Sequence, residues 1–145
     1  MLDSLALAAV LMVAGSAQSS APSSSPTTLN AACLHGDSET PVEARRRRSA
    51  LGAARTLITV QAQAKMETGR YLGREQLANT PLAQPLATGS LHINFQQKEV
   101  VPGFELRLLA DEDGYLFTLH DITDPCGFSY GSSERGVIVR GETIR

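Results

Sequence analysis

The stretch of residues 40–69 constrains the fold of this chain more than any other feature. Thr40-Pro41-Val42-Glu43 puts a hydroxyl at a helix N-cap, proline at the first helical position and glutamate at the third, the spacing of a capping box. The threonine oxygen accepts from a free backbone N–H, and the glutamate carboxylate accepts from the N–H of the cap residue. The proline ring removes only a donor that would have had no partner. Gly69 supplies the left-handed residue that ends the run. The bracket predicts one helix of about 28 residues, ~42 Å long at 1.5 Å rise per residue. Its apolar positions are Ala50, Leu51, Ala54, Leu57, Ile58, Gln61 or Ala62, and Met66. The 51–54–58–62 spacing makes one narrow stripe, suited to lie across a sheet. The upstream turns, Glu43-Ala44-Arg45-Arg46-Arg47-Arg48, carry no such stripe and are expected to project into solvent.

Beyond Gly69 the periodicity changes. A connector with a short helical turn around residues 75–78 leads to alternating segments at 91–95, 104–109 and 115–120. The last two flank Ala110-Asp111-Glu112-Asp113-Gly114, whose Asp-Gly step is a hairpin signal. A further pair, 127–130 and 136–139, flanks a polar turn. One long helix followed by four or five antiparallel strands is an α+β arrangement, with the helix packed on one face of a meander.

The N-terminal part has a different character. Residues 5–14 are ten consecutive apolar residues followed by small ones, the length of a signal-peptide apolar region and too short to span a bilayer. Gly15 and Ala17 form a small-x-small site, so residues 1–17 are expected to be a signal peptide cleaved after Ala17, although Met1-Leu2-Asp3-Ser4 carries an acid and no base. Residues 18–39, rich in Ser, Pro and Thr, are expected to be a flexible tether, and 40–145 the folded domain. Leu29 lies one place too far from Cys33 for a lipoprotein motif. An exported protein with two cysteines, Cys33 and Cys126, is expected to join them, with Cys33 pinning the end of the tether. In the chain-entropy account such a loop is worth ~4–5 kcal/mol. The formal charge of −2 becomes about −1 without Asp3 and gives no global attraction to nucleic acid or anionic membrane. Periplasmic or secreted localisation follows, with no membrane span once the signal is removed.

The sequence from Ala53 to Tyr71, in which an Ala-Arg stripe and glutamines lead into Thr68-Gly69-Arg70-Tyr71, resembles the globular head of type IV pilins and of the pseudopilins of type II secretion. The tail from Cys126 to Gly141, a Gly-aromatic strand turning into Gly-Val-Ile, is similar to the last hairpin of those heads. The resemblance covers residues 49–141 and implies a pilin-like head. Pilins carry an apolar helix half immediately upstream, with an acid at its fifth position. Here four arginines stand in its place, and burying them in a fibre's apolar axis would cost several kcal/mol. The resemblance therefore implies the head fold and not the membrane helix.

Several residues are candidates for chemistry. Arg45, Arg46, Arg47 and Arg48 would form a collar around the helix, a contact for an envelope protein or anionic polymer. Major pseudopilins hold calcium in a loop of the sheet region, which makes Asp111 and Asp113 candidate ligands; the 111–114 run lacks the spaced D-x-D-x-D-G pattern. His35, His92 and His120 have no zinc spacing, although His92 and His120 fall on expected strands. Cys126 with His120 is the nearest approach to a nucleophile and base, but there is no G-x-S-x-G or H-E-x-x-H motif. No phosphate-cradling loop or aromatic stacking surface is present. The sequence thus predicts an exported, non-catalytic, pilin-like structural or interaction module without a cofactor. The alternative is a small periplasmic ion- or ligand-binding protein using loop 111–114.

Overall fold

A computed structural model describes residues 33–142; the expected signal peptide and most of the expected tether lie outside them. Helix α1 (Pro41–Thr68) starts as the capping box requires. The Glu43 N–H donates to the Thr40 hydroxyl at 3.3 Å and the Thr40 N–H donates to the Glu43 carboxylate at 2.7 Å. It ends on Gly69 with φ 78°, whose N–H donates to the Lys65 carbonyl. Two short helices follow, α2 (Arg74–Ala78) and α3 (Ala83–Thr88). Five strands then form β1 (Glu99–Val101), β2 (Phe104–Ala110), β3 (Tyr115–Asp121), β4 (Ser129–Ser133) and β5 (Val139–Gly141). They lie in chain order, each antiparallel to the next, and α1 packs on one face of the sheet.

The buried face of α1 is made by Ala50, Ala53, Ala54, Leu57, Val60, Gln61 and Ala64. Of the expected positions, Ala50, Ala54, Leu57 and Gln61 are buried, and the rest fall off this face. Leu51 and Ile58 are half-buried at its margins, Ala62 is exposed, and Met66 is 80% exposed. Four alanines at the contact let the helix backbone approach the sheet, whereas the larger side chains are accommodated beside it. Under them lie Phe104, Leu106, Phe117, Leu119 and Phe128 from β2, β3 and the approach to β4. Full burial of such a side chain contributes about 1.5–3 kcal/mol. Gln61, also fully buried, closes α1 onto the connector. Its amide donates to the Leu72 carbonyl at 2.6 Å, and its oxygen accepts from the Leu72 N–H at 3.0 Å.

The β2–β3 register runs from Phe104↔Asp121 to Ala110↔Tyr115 around the expected Asp-Gly turn. Residues 91–95, expected to be a strand, are irregular. Ile93 and Phe95 are buried as the alternation suggests, but His92 has φ 50° and breaks the extended path. The Ile93 and Asn94 N–H groups donate to the carbonyls of Leu86 and Val100 instead of to a ladder. The first strand is β1, joined to β2 by Val101-Pro102-Gly103-Phe104 with Gly103 at φ 81°, the proline-glycine pattern of a type II turn.

Candidate functional site

One end of the sheet is closed by a charge network that the sequence reading did not anticipate. Asp121 ends β3 and Asp124 follows in the β3–β4 loop; both carboxylates are fully buried. Arg46 reaches Asp121, with Nη2 at 3.1 and 3.3 Å from its two oxygens. Arg47 Nη2 donates to Asp124 at 2.9 Å and to the Leu34 carbonyl, and Nη1 lies 3.1 Å from Glu39. The Arg47 guanidinium also sits 4.2 Å from the Phe128 ring centroid, within cation–π range. The approach of Arg46 depends on Gly103, because a Cβ there would lie 2.6 Å from Arg46 Cδ.

The segment 33–39 is drawn into the same network. Cys33 is disulfide-bonded to Cys126, which closes a sequence separation of 93. Asp124 accepts from the Leu34 N–H at 3.3 Å and the Cys126 N–H at 2.9 Å. His35 Nδ1 is 2.6 Å from Asp124, while its Nε2 faces Glu142 at 3.4 Å. Burial alone would raise the Asp124 carboxyl pKa; the His35 ring and these two N–H donors outweigh it and hold the group below its ordinary range. The folded unit therefore extends back to Cys33, and residues 33–39 belong to it rather than to the flexible tether expected there.

The solvated arginine collar is corrected for two of its four members. A helix places successive residues about 100° apart, so Arg46 and Arg47 turn toward the sheet while Arg45 and Arg48 turn away. Arg47 is buried and Arg46 half-buried. Arg45 and Arg48 are exposed and make no ion pair among the described residues. Arg48 borders an open cleft of about 260 Å³ with Ala44, Tyr130 and Arg140. Burial raises the Tyr130 hydroxyl pKa there, against the opposing pull of Arg47 and Arg140.

The acidic hairpin tip is a turn device. One Asp111 oxygen accepts from the Asp113 and Gly114 N–H groups, each at 2.8 Å, which depresses the Asp111 pKa. The tip is also docked on the end of α1, where Lys65 Nζ donates to the Glu112 carbonyl at 2.6 Å. Among the described residues no three metal-ligating His, Cys, Asp or Glu side chains converge, at this tip or elsewhere. Cys126 is held in the disulfide and is not a thiol nucleophile. His120 lies on the sheet face opposite α1, beside Arg107, Thr118 and Ser129, while His92 lies on the irregular segment. Among the described residues no helix is long and apolar enough to cross a membrane. Comparison with known protein families, curated proteins and solved structures finds no match to this chain.

Proposed function

We propose that this chain is an exported, non-catalytic interaction module of the cell envelope with a pilin-like head. The observation that carries the reading is the Cys33–Cys126 disulfide, which locks the chain upstream of α1 to the loop behind its sheet. Such bonds persist in oxidising compartments and are rare in reducing ones. The long capped helix laid on an antiparallel meander supports the pilin-like layout. The signal-like apolar run of residues 5–14 supports export. Contact with an envelope protein or anionic polymer then falls to Arg45 and Arg48, the two arginines left unpaired.

Thiol alkylation of the full chain in fractionated bacterial cells tests the reading. The expected result is an envelope or extracellular protein in which both cysteines resist alkylation until a reductant is added. Photocrosslinkers at positions 45 and 48 should then capture an envelope component, and Arg45→Ser/Arg48→Ser should lose it. A reduced, cytoplasmic protein would overturn the export reading, and unchanged capture by the double variant would remove the arginine contact.

A further inference from the structure

Helix α1 lays Ala50, Leu57 and Ala64 on the sheet. At about 100° per residue the line opposite them runs through Arg48, Arg55, Thr59 and Met66, with Arg45 about 60° to one side. All five are exposed, Met66 at 80%. The three arginine side chains make no ion pair or hydrogen bond among the described residues. Acids outnumber bases in the chain by 15 to 13, yet none occurs from Ala44 to Met66. A solvated helix face ordinarily mixes both signs, with pairs three and four residues apart. This face carries one sign only.

The neighbouring chain does not supply the missing carboxylates. Leu91 packs over Gly52 on this side, where a Cβ would lie 3.2 Å from its Cδ2. The connector that carries Leu91 has no acid from Gln76 to Lys98. Acids do stand at the two ends of the helix, and most are engaged. Asp121 and Asp124 are buried against Arg46 and Arg47, and Glu39 lies 3.1 Å from Arg47. Glu43 holds the cap, and Glu67 accepts from the Gln63 amide at 2.8 Å. Asp37 is exposed ahead of the first turn. The outer line itself, ~27 Å from Arg48 to Met66 at 1.5 Å rise, meets solvent as arginine and ends on an exposed thioether.

We propose that the outer face of α1 lies on an anionic lipid surface, with Arg45, Arg48 and Arg55 among the headgroups and Met66 at the acyl boundary. A single helix on the outside of a sheet is a ridge rather than a groove. It gives one polymer strand little to grip, whereas a plane of headgroups meets Arg48, Arg55 and Met66 together. Each basic side chain near an anionic surface strengthens partitioning roughly fivefold, so three contribute on the order of 100-fold at low salt. The proposal deepens the interaction-module reading, on which it rests for Arg45 and Arg48 as the contact, and names a lipid surface as the envelope component they meet. A reduced cytoplasmic protein would remove the export reading and leave vesicle binding intact. Failure of an oxidised, exported protein to bind vesicles would remove this proposal alone.

The test is co-sedimentation of the full chain, disulfide intact, with vesicles of phosphatidylglycerol and phosphatidylcholine in equal parts or of phosphatidylcholine alone. The apolar run of residues 5–14 is common to every protein compared and has no preference for lipid charge. At about 50 mM salt the anionic vesicles should bind at least about tenfold more strongly, and about 0.5 M salt should abolish the difference. Arg48→Ser/Arg55→Ser should weaken anionic binding about tenfold or more, while Arg107→Ser/Arg135→Ser, with the same change in net charge, should stay within about twofold. The chain has no tryptophan, so Met66→Trp places a single reporter on this face. Its emission should shift to the blue on anionic vesicles, and that of Leu116→Trp on the open sheet face should not. Equal binding to both vesicles, unchanged binding by Arg48→Ser/Arg55→Ser, or a blue shift of Leu116→Trp alone would overturn the proposal. So would binding of soluble polyphosphate without binding of vesicles, because the occupant would then be a polymer in solution.

Discussion

Arg47→Met isolates what the charge network contributes. Methionine keeps an unbranched stem against Phe128 but removes the guanidinium. The Arg47 side chain is 7% exposed and that of Asp124 0%, so the change strips a cation from a buried carboxylate. It also strips the partner from Glu39. Breaking a buried pair from one side costs about 3–5 kcal/mol. His35 and the Leu34 and Cys126 N–H groups still serve Asp124, which places the expected loss near about 3 kcal/mol. For a domain of this size that lowers the melting temperature by roughly 12 °C. Arg48→Met, one residue on and exposed, should change stability by no more than about 0.5 kcal/mol. Combining Arg47→Met with Asp124→Asn should cost less than the sum of the two, because the pair is in contact. Urea denaturation of the full chain, followed by far-ultraviolet circular dichroism, measures these four variants against the parent protein. An Arg47→Met loss no larger than that of Arg48→Met, or strict additivity with Asp124→Asn, would refute the reasoning.

Replacing both cysteines, Cys33→Ser/Cys126→Ser, should cost ~4–5 kcal/mol in the chain-entropy account; a loss below about 1 kcal/mol in urea would contradict it. Gln61→Leu should cost about 2–4 kcal/mol, because it orphans both the N–H and the C=O of buried Leu72, and Gln63→Leu on the same helix is the control. Acid should destabilise the fold through Asp124: its folded pKa lies below the ordinary 3.8, so its contribution is complete above that value and is lost as pH falls through the lower folded one. The urea midpoint should therefore hold from pH 7 to about pH 5 and drop below about pH 4, with a shallower drop in Asp124→Asn.

What could be read from sequence was local. Thr40, Pro41, Glu43 and Gly69 bound α1 because cap and stop residues act within a few positions of the helix end. Strands β2 and β3 followed from strict alternation around Asp113-Gly114. What could not be read was long-range. Arg46 and Arg47 meet Asp121 and Asp124 across separations of 75 and 77 residues, and no local spacing couples them. Two signals were nevertheless present. Four adjacent helical arginines cannot all face away from a sheet that the same helix covers, and the Pro102-Gly103 step marked the β1–β2 turn. On α1, Ala53, Val60 and Ala64 complete the face begun by Ala50, Ala54, Leu57 and Gln61, and the alanines there allow close approach.

Residues 33–39, the first turns of α1 and the β3–β4 loop form one clamped end. Native-state hydrogen exchange of the full chain, residue by residue, tests this most directly. The Leu34 and Cys126 amides, both donating to Asp124, should exchange only in openings close in free energy to those of Leu57 and Val60 in the buried face of α1. Exchange of the Leu34 amide at the rate of an unstructured peptide, while Leu57 stays protected, would contradict it.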